Sequence, residues 1–366
     1  MRILAGVLAA AVVGTGAPVW AHVKAVSPQR PRVEVAFVLD TTGSMGGLIE
    51  GAKRRIWSIA RLIGEGQPRP ELRIALVGYR DQGDAYVTRV HDFSSDMDAV
   101  YGNLSAFEAG GGGDWPEHVS RALSDAVNRV SWSQGEALRI IFLVGDAPPQ
   151  VGYQDGFDYR RHAREARQRG IVVETIQCGP ANDTAGFWRE IAQLGMGHYA
   201  QIDGQGGMPV RITPVDAELA RLNAELAGTV VAGGSVAEQV AVTRRLESRK
   251  AMAPAAATEA AGYYGRADKL AEKDLVDMAE DVQKRELVEM RKAASPPATL
   301  AGKTDTEALA YLKAQKETRT RLQARVVTLQ KQRDEYLQKQ GAPTDGFDAQ
   351  VVQALKAQAQ RYGIQY

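Results

Sequence analysis

One carboxylate and two hydroxyls follow a buried strand near the start of the chain. The apolar, β-branched run Val33–Leu39 ends at Asp40, and the short loop after it carries Thr42 and Ser44. In an extended loop, residues i, i+2 and i+4 face the same side, so these three oxygens can contact one ion. The pattern therefore predicts a metal site at the carboxyl end of a strand, where open α/β sheets bind their ligands.

Two later loops carry carboxylates toward the same edge of the predicted sheet. The glycine-rich segment Gly110–Glu117 contains Asp114, and the segment Leu143–Pro149 contains Asp146. Neither segment contains His or Cys, and carboxylates with hydroxyls suit Mg²⁺, Ca²⁺ or Mn²⁺ better than zinc or copper. Of these ions we expect Mg²⁺. The predicted metal ligands are Asp40, Thr42, Ser44, Asp114 and Asp146.

Asp114 and its neighbours also fit a second interpretation. Asp114, Pro116 and Glu117 form a helix start, with Asp114 as N-cap and Glu117 at the third helical position. Trp115 beside them is either an exposed contact for a partner or an aromatic side chain packed over the loop. Metal ligation and helix capping by Asp114 both stay open at this point.

Further polar residues surround the predicted site. A rim that selects partners would consist of Asp81, Asp84, Trp115 and Glu117. For the segment Arg80–Asp84 we favour a simpler interpretation, a solvated hairpin turn that contains a glycine.

Alternating strand and helix patterns position these loops. The strand patterns are Val33–Leu39, Leu72–Tyr79, Tyr86–Phe93, Leu138–Gly145, Ile171–Gln177 and His198–Ile202. The helix patterns are Leu48–Ile63, Met97–Leu104, Pro116–Val130, Tyr159–Arg169, Gly186–Leu194 and Pro214–Leu226. This alternation predicts an α/β fold, a doubly wound, mostly parallel six-stranded sheet covered on both faces. The short turn Arg80–Ala85 makes the third strand an antiparallel edge strand.

The composition changes after Ala227, where Ala, Gln, Lys, Arg and Glu dominate and the strand pattern ends. We therefore divide the chain into a first domain at 32–229 and an α-helical C-terminal region at 230–366. Capping boxes at Ser235/Glu238 and Thr304/Glu307 predict helices at 236–251 and 305–340. Another helical pattern covers Asp268–Lys292, and turn-rich segments separate the helices. The 305–340 segment is either packed on the first domain or self-associates as a coiled coil.

The loops resemble a known family. A D-x-T-x-S loop after the first strand, a glycine-rich loop before a helix, and a later strand ending in Asp are similar to a von Willebrand factor A domain with its metal-ion-dependent adhesion site. The resemblance extends to Phe187–Ala192 and Gly197–Tyr199, which are similar to the family's penultimate helix and last strand. DTTGSM, GGGGDWPE and the tail are similar to a bacterial, secreted subgroup.

The resemblance implies a role for each matching residue. It implies direct metal ligation by Thr42 and Ser44, ligation by Asp40 directly or through water, and ligation by Asp146 through water. One open coordination position would accept a carboxylate from a protein partner, so the domain would be a binding module and not an enzyme. The family places a threonine in the second loop, whereas this chain has only Asp114 there. An extra carboxylate would weaken the pull of the ion on an acidic ligand.

The N-terminus and the composition bound where the protein acts. Arg2, an apolar run from Ile3 to about Val13 and small residues up to Ala21 predict a signal peptide at 1–21, and hence export to the periplasm or beyond the cell. No stretch is apolar enough for a transmembrane span. The 45 basic and 44 acidic residues nearly cancel, so nothing favours nucleic acid as a partner. The single cysteine, Cys178, excludes an intramolecular disulfide.

Together these patterns predict an exported, metal-dependent adhesion or scaffold protein whose ion bridges to an acidic residue of a partner. If the chain forms oligomers, the C-terminal helices are the predicted contact. Two alternatives remain. A phosphatase would use Asp40 as a nucleophile that forms an aspartyl phosphate, although Thr42 stands where such enzymes place a second carboxylate. In a purely structural protein, the metal would only stabilise the fold.

Overall fold

The structure is a computed structural model and describes residues 30–366 except 114, 205, 208–210, 294 and 342–345. The predicted signal peptide and Asp114 lie outside the described residues, so the structure tests neither of the two predicted roles of Asp114. Within the described part, no helix combines the length and the apolar character needed to cross a membrane.

Six strands form one mixed sheet. The strands are β1 (Arg32–Asp40), β2 (Glu71–Tyr79), β3 (Thr88–Ser94), β4 (Leu138–Gly145), β5 (Ile171–Cys178) and β6 (Met196–Ile202). Their order across the sheet is β3-β2-β1-β4-β5-β6. All neighbours pair in parallel except β2 and β3, which are antiparallel. The predicted fold class, with its antiparallel edge strand, is confirmed.

Helices cover both faces of the sheet. They are α1 (Gly46–Gly64), α2 (Met97–Ser105), α3 (Val119–Asn128), α4 (Tyr159–Gln168), α5 (Asn182–Leu194), α6 (Asp216–Gly228), α7 (Val236–Lys250), α8 (Pro254–Tyr264), α9 (Glu280–Lys292), α10 (Asp305–Lys339) and α11 (Phe347–Ala359). One apolar core lies between the sheet and α3, α4 and α5. A larger core lies on the opposite face, under α1, α2, α6, α8 and α11. The central strands are apolar on both sides because both faces are covered.

Three helix predictions need correction. The helix pattern at Pro116–Val130 begins only at Val119, with His118 as N-cap, so Glu117 does not stand at the predicted third helical position. The supposed turn-rich segment after residue 253 is α8, in which Pro254 occupies the first turn, where a missing N–H costs nothing. The first half of the predicted helix Asp268–Lys292 is irregular apart from one short helical turn at Leu275–Asp277, and only its second half forms α9.

The last helix packs directly on the sheet. α11 lies beside α1 against β4, β5 and β6, and the Phe347 ring is 6.0 Å from the ring of Phe37 in β1. Gln358 donates a hydrogen bond to the buried carboxylate of Glu174, at 3.0 Å. The predicted ranges 32–229 and 230–366 thus contribute side chains to the same core. The domain limits stay a prediction, as does self-association through α10.

Candidate metal centre

The loop after β1 brings its three predicted oxygens together. Asp40 is fully buried, and its Oδ1 accepts hydrogen bonds from the Thr42 backbone N–H at 2.8 Å and the Thr42 hydroxyl at 2.7 Å. The Thr42 and Ser44 hydroxyls are 3.4 Å apart. The chain is extended only as far as Thr42 and then forms a single helical turn over Gly43–Met45. The oxygens therefore converge, but through this turn and not through the extended loop that the spacing suggested.

The second carboxylate oxygen of Asp40 has an open acceptor position. Oδ2 is buried and has no hydrogen-bond partner among the described residues. A Cβ on Gly145 would lie 3.1 Å from this oxygen and would overlap the Tyr79 hydroxyl, so glycine leaves the space beside it open. A buried polar atom without a partner costs about 1–3 kcal/mol, and more when it is charged. A hard cation would satisfy this oxygen, so the residues present fit the predicted ion.

Electrostatics at Asp40 reflect its burial. Burial raises the pKa of the Asp40 carboxyl to about 7, against the lowering effect of its two hydrogen bonds from Thr42. The charge of Asp146 raises this pKa further, and the charge of Arg80 lowers it. Near neutral pH the carboxyl is therefore partly protonated, and a bound cation would compete with that proton.

Asp146 approaches the same point from the end of β4. Its backbone carbonyl accepts a hydrogen bond from the Thr184 hydroxyl at 3.1 Å, which fixes this loop to the start of α5. Burial raises the pKa of the Tyr79 hydroxyl well above its usual value, and the charges of Asp40, Glu117 and Asp146 add to that effect. These three carboxylates therefore lie close enough to the end of β2 to act on the Tyr79 hydroxyl. Sequence reasoning placed Glu117 only on the rim.

Few of the candidate metal ligands are carboxylates. Within the described ranges, no three His, Cys, Asp or Glu side chains are grouped so that they could hold a metal ion. The described candidates are two carboxylates, Asp40 and Asp146, with the hydroxyls of Thr42 and Ser44. Asp114 would be a third carboxylate, but its position lies outside the described residues.

The glycine-rich loop lies against the first loop through backbone contacts. Gly43 N–H donates to the Gly111 carbonyl at 3.3 Å, and Gly110 N–H donates to the Thr41 carbonyl at 3.1 Å. Gly111 has φ +78°, and a Cβ there would overlap the carboxylate of Asp84. That carboxylate accepts the Gly112 N–H at 3.2 Å. Glycine is required at 111 by both its backbone conformation and this close approach.

The segment Arg80–Asp84 contains the solvated glycine turn that we favour at its tip, where Gln82 and Gly83 are exposed and Gly83 has φ +92°, but its ends are not solvated. Arg80 and Asp81 are buried, and Asp84 contacts the glycine-rich loop. The Arg80 guanidinium donates to the Thr41 carbonyl at 3.0 Å and to the Glu108 carbonyl at 2.8 Å. Sequence reasoning missed this role. The available signal was an arginine placed directly after a buried strand, at the edge where the other loops meet.

The predicted rim residues differ in exposure. The Asp81 carboxylate accepts the Tyr153 hydroxyl at 2.6 Å, and both Asp81 and Glu117 are buried. Trp115 is 46% exposed, and its indole N–H donates to Asp183 at 2.7 Å. Of the four residues, Trp115 presents the largest exposed face at this edge of the sheet.

Comparisons with known proteins bear on the first half of the chain. Residues 34–178 match a family model described as von Willebrand factor A domain. The chain is 35% identical over 123 residues to von Willebrand factor A domain-containing protein 7 of Rattus norvegicus, across 34% of this chain and 13% of that protein. It is 28% identical over 172 residues to the putative ariadne-like RING finger protein R811 of Acanthamoeba polyphaga mimivirus, across 43% and 17%. The matches thus span less than a fifth of the length of these relatives.

Two solved structures are similar at low identity. The conserved hypothetical protein BatB from Bacteroides thetaiotaomicron is 17% identical, with a TM-score of 0.35, across 59% of this chain and 98% of that chain. The pilus adhesin SpaC from Lactobacillus rhamnosus GG is 14% identical, with a TM-score of 0.36, across 49% and 29%. Because both TM-scores are below 0.5, these likenesses support no conclusion about function.

Proposed function

We propose that this chain is an exported protein that binds its partner through a divalent cation. The proposal is supported by the match of residues 34–178 to the von Willebrand factor A domain, a class of protein-interaction modules. The observation that supports the proposal most directly is the buried Asp40 Oδ2, which has no hydrogen-bond partner among the described residues. In this proposal Mg²⁺ is the resident ion, with Mn²⁺ and Ca²⁺ as substitutes.

Each residue has a distinct part in the proposed site. The hydroxyls of Thr42 and Ser44, with the carboxylate of Asp40, hold the ion from the first loop. Asp146 and Asp114 complete the protein ligands from the other two loops. When bound, the ion supplies the positive charge that attracts a partner carboxylate. Trp115 is the exposed aromatic contact next to it, a residue type that is enriched among energetically dominant interface residues.

Metal binding is the first test. The purified protein is titrated calorimetrically with Mg²⁺, Mn²⁺ and Ca²⁺, beside Asp40→Ala and a control, Glu71→Ala. Glu71 is an exposed carboxylate at the opposite end of β2, where it pairs with Arg32. We expect the wild type and Glu71→Ala to bind with the same affinity, and Asp40→Ala to lose binding. Equal binding by all three proteins would remove the proposed site.

Partner binding is the second test. The immobilised wild type is incubated with the envelope fraction of the exporting cell in Mg²⁺ or in chelator, beside immobilised Asp40→Ala in Mg²⁺. We expect a partner that is retained only by the wild type in Mg²⁺. Retention in chelator would overturn the metal-dependent function. Hydrolysis of p-nitrophenyl phosphate that disappears in Asp40→Ala would instead favour the phosphatase alternative.

A further inference from the structure

Arg80 connects the two loops that carry the candidate metal ligands. Its Nε donates to the Thr41 carbonyl at 3.0 Å, and Thr41 lies between Asp40 and Thr42 in the first loop. Its Nη2 donates to the Glu108 carbonyl at 2.8 Å, just before the glycine-rich loop. The Arg80 backbone carbonyl accepts the His118 N–H at 3.3 Å, just after that loop. One residue therefore contacts the first loop and both ends of the second.

The guanidinium is held in this position from its other side. Arg80 stacks on the Tyr86 ring, with Cζ 4.5 Å from the ring centroid, and Tyr86 in turn contacts the Thr41 hydroxyl at 2.8 Å. Planar stacking and a rigid fork of donors are properties of arginine that lysine lacks. The contacts fix Arg80 as a rigid brace between strand β2 and the loop after β1.

Arg80 also differs from the other buried arginines of this protein. Arg249, Arg319 and Arg333 each pair with at least one carboxylate. In the described part of the chain, Arg80 has no carboxylate within ion-pair distance, and its guanidinium donates to backbone carbonyls. Its charge is therefore not neutralised by a direct partner there, yet it lies close enough to Asp40 to affect that carboxyl.

We propose that Arg80 is a positioning residue of the candidate metal centre, which it assembles by fixing the backbone of the first and second loops relative to each other. The inference rests on the proposed function, because it assigns Arg80 a role in metal affinity. Two effects of Arg80 oppose each other there. Its positive charge disfavours a nearby cation, whereas its hydrogen bonds keep the ligands in place, and the second effect prevails. Residues that orient metal ligands typically change affinity 10- to 100-fold when they are replaced.

The chain offers a matched control. Arg89 stacks on the same Tyr86 ring, also at 4.5 Å, but it is exposed on β3. In the described part of the chain it makes no side-chain hydrogen bond or ion pair with either loop. Mg²⁺ and Mn²⁺ affinities are measured by calorimetry for the wild type, Arg80→Met, Arg80→Lys and Arg89→Met, at a temperature at which all four are folded. We expect about 10- to 100-fold weaker binding in Arg80→Met and a smaller loss in Arg80→Lys. Arg89→Met should bind like the wild type.

The same variants give a readout that needs no metal. Amide hydrogen exchange is measured in chelator for the first loop, at residues 41–45, and for residues 110–113. We expect faster exchange in both loops of Arg80→Met and unchanged exchange in Arg89→Met. If exchange is unchanged in Arg80→Met, the positioning role fails, whatever the wild type binds. If exchange accelerates but the wild type binds no metal, the proposed function fails and the brace remains a structural one. Tighter metal binding in Arg80→Met would show that charge repulsion prevails and would overturn the inference.

Discussion

Two buried aspartates of this protein, Asp98 and Asp40, differ in the partners of their carboxylates. Asp98, in the first turn of α2, receives the guanidinium of Arg249 from α7, and Arg249 Nε lies 3.0 Å from both carboxylate oxygens. The side chain of Arg249 is itself fully buried, with Cζ 3.6 Å from the centroid of the Tyr264 ring. Asp40, at the end of β1, has only the two hydrogen bonds from Thr42, and its Oδ2 has no partner among the described residues.

This difference in pairing distinguishes a carboxylate that stabilises the fold from one that is available to bind an ion. Burial raises the pKa of both carboxyls, but at Asp98 the charge of Arg249 counteracts that rise directly. A buried carboxylate paired with arginine holds separate segments together, as Asp274 with Arg319 of α10 and Glu259 of α8 with Arg333 of α10 also do. A buried carboxylate left with a vacant acceptor is unfavourable by itself, and an added cation or proton would relieve it.

The largest effect should come from breaking the structural pair. We expect Arg249→Met to lower the free energy of unfolding by about 3–5 kcal/mol, because Asp98 is left as an uncompensated buried charge. Urea denaturation measures the change. The double variant Asp98→Leu with Arg249→Met is the control, and it should recover to within about 1 kcal/mol of the wild type, since removing both partners is often nearly neutral. Metal affinity should not change in either variant. A single-variant loss below about 1 kcal/mol would contradict the comparison.

At Asp40, we expect the substitution to raise the free energy of unfolding, not to lower it. In chelator at pH 8, Asp40→Asn should raise the free energy of unfolding by about 2 kcal/mol. The rise of the Asp40 pKa from 3.8 to about 7 sets an upper limit of about 4 kcal/mol, and the new amide donor offsets part of it. Glu71→Gln, an exposed replacement, should stay within about 0.5 kcal/mol of the wild type. Destabilisation by Asp40→Asn under these conditions would mean that the native structure needs this charge without a cation.

That gain should depend on pH. The pKa of Asp40 is raised in the folded state, so the folded protein binds more protons than the unfolded chain between pH 4 and 7. The metal-free wild type therefore loses stability as the pH rises through this window, and Asp40→Asn does not incur that loss. The difference in the free energy of unfolding between the two proteins should be smallest at pH 4 and should reach its full value near pH 8. A difference that is constant with pH would contradict the buried, titrating carboxyl.

Added metal should produce the smallest effect. At a free Mg²⁺ concentration ten times the dissociation constant, ligand linkage stabilises the wild type by about 1.4 kcal/mol. We expect the thermal midpoint to rise by the corresponding amount for the wild type and for Arg249→Met, but not for Asp40→Asn. The same midpoint shift in Asp40→Asn would place the ion elsewhere in the protein.

Much of the fold could be predicted from local sequence. The run Leu138–Gly145 forms β4 with the predicted bounds, and the capping boxes at Ser235 and Thr304 begin α7 and α10. Continuous apolar runs and capping residues are local signals, which act within a few residues of the chain. Pro254 misled because a proline in the first turn of a helix and a proline in a loop have the same sequence signal.

Part of the site was also predictable. The spacing of Asp40, Thr42 and Ser44 identified three oxygens that the structure brings together. The role of Arg80 was not predictable, because its partners, the carbonyls of Thr41 and Glu108, belong to loops that are adjacent only in the folded sheet. Backbone carbonyls carry no sequence signal, so their partners become visible only in the tertiary structure.

The sequence by itself determined the strands, most helices and the oxygen-rich chemistry of the loops, because periodicity and side-chain type are properties of short segments. Only the tertiary structure decided which buried carboxylate is paired with an arginine side chain of the protein. Asp98 and Arg249 are 151 residues apart in the chain and meet because α2 and α7 pack together. Asp40 meets no such partner among the described residues, because Arg80, the arginine at this strand end, donates to the backbone carbonyls of Thr41 and Glu108. That contrast, and not the aspartate itself, marks Asp40 as the candidate for binding an ion.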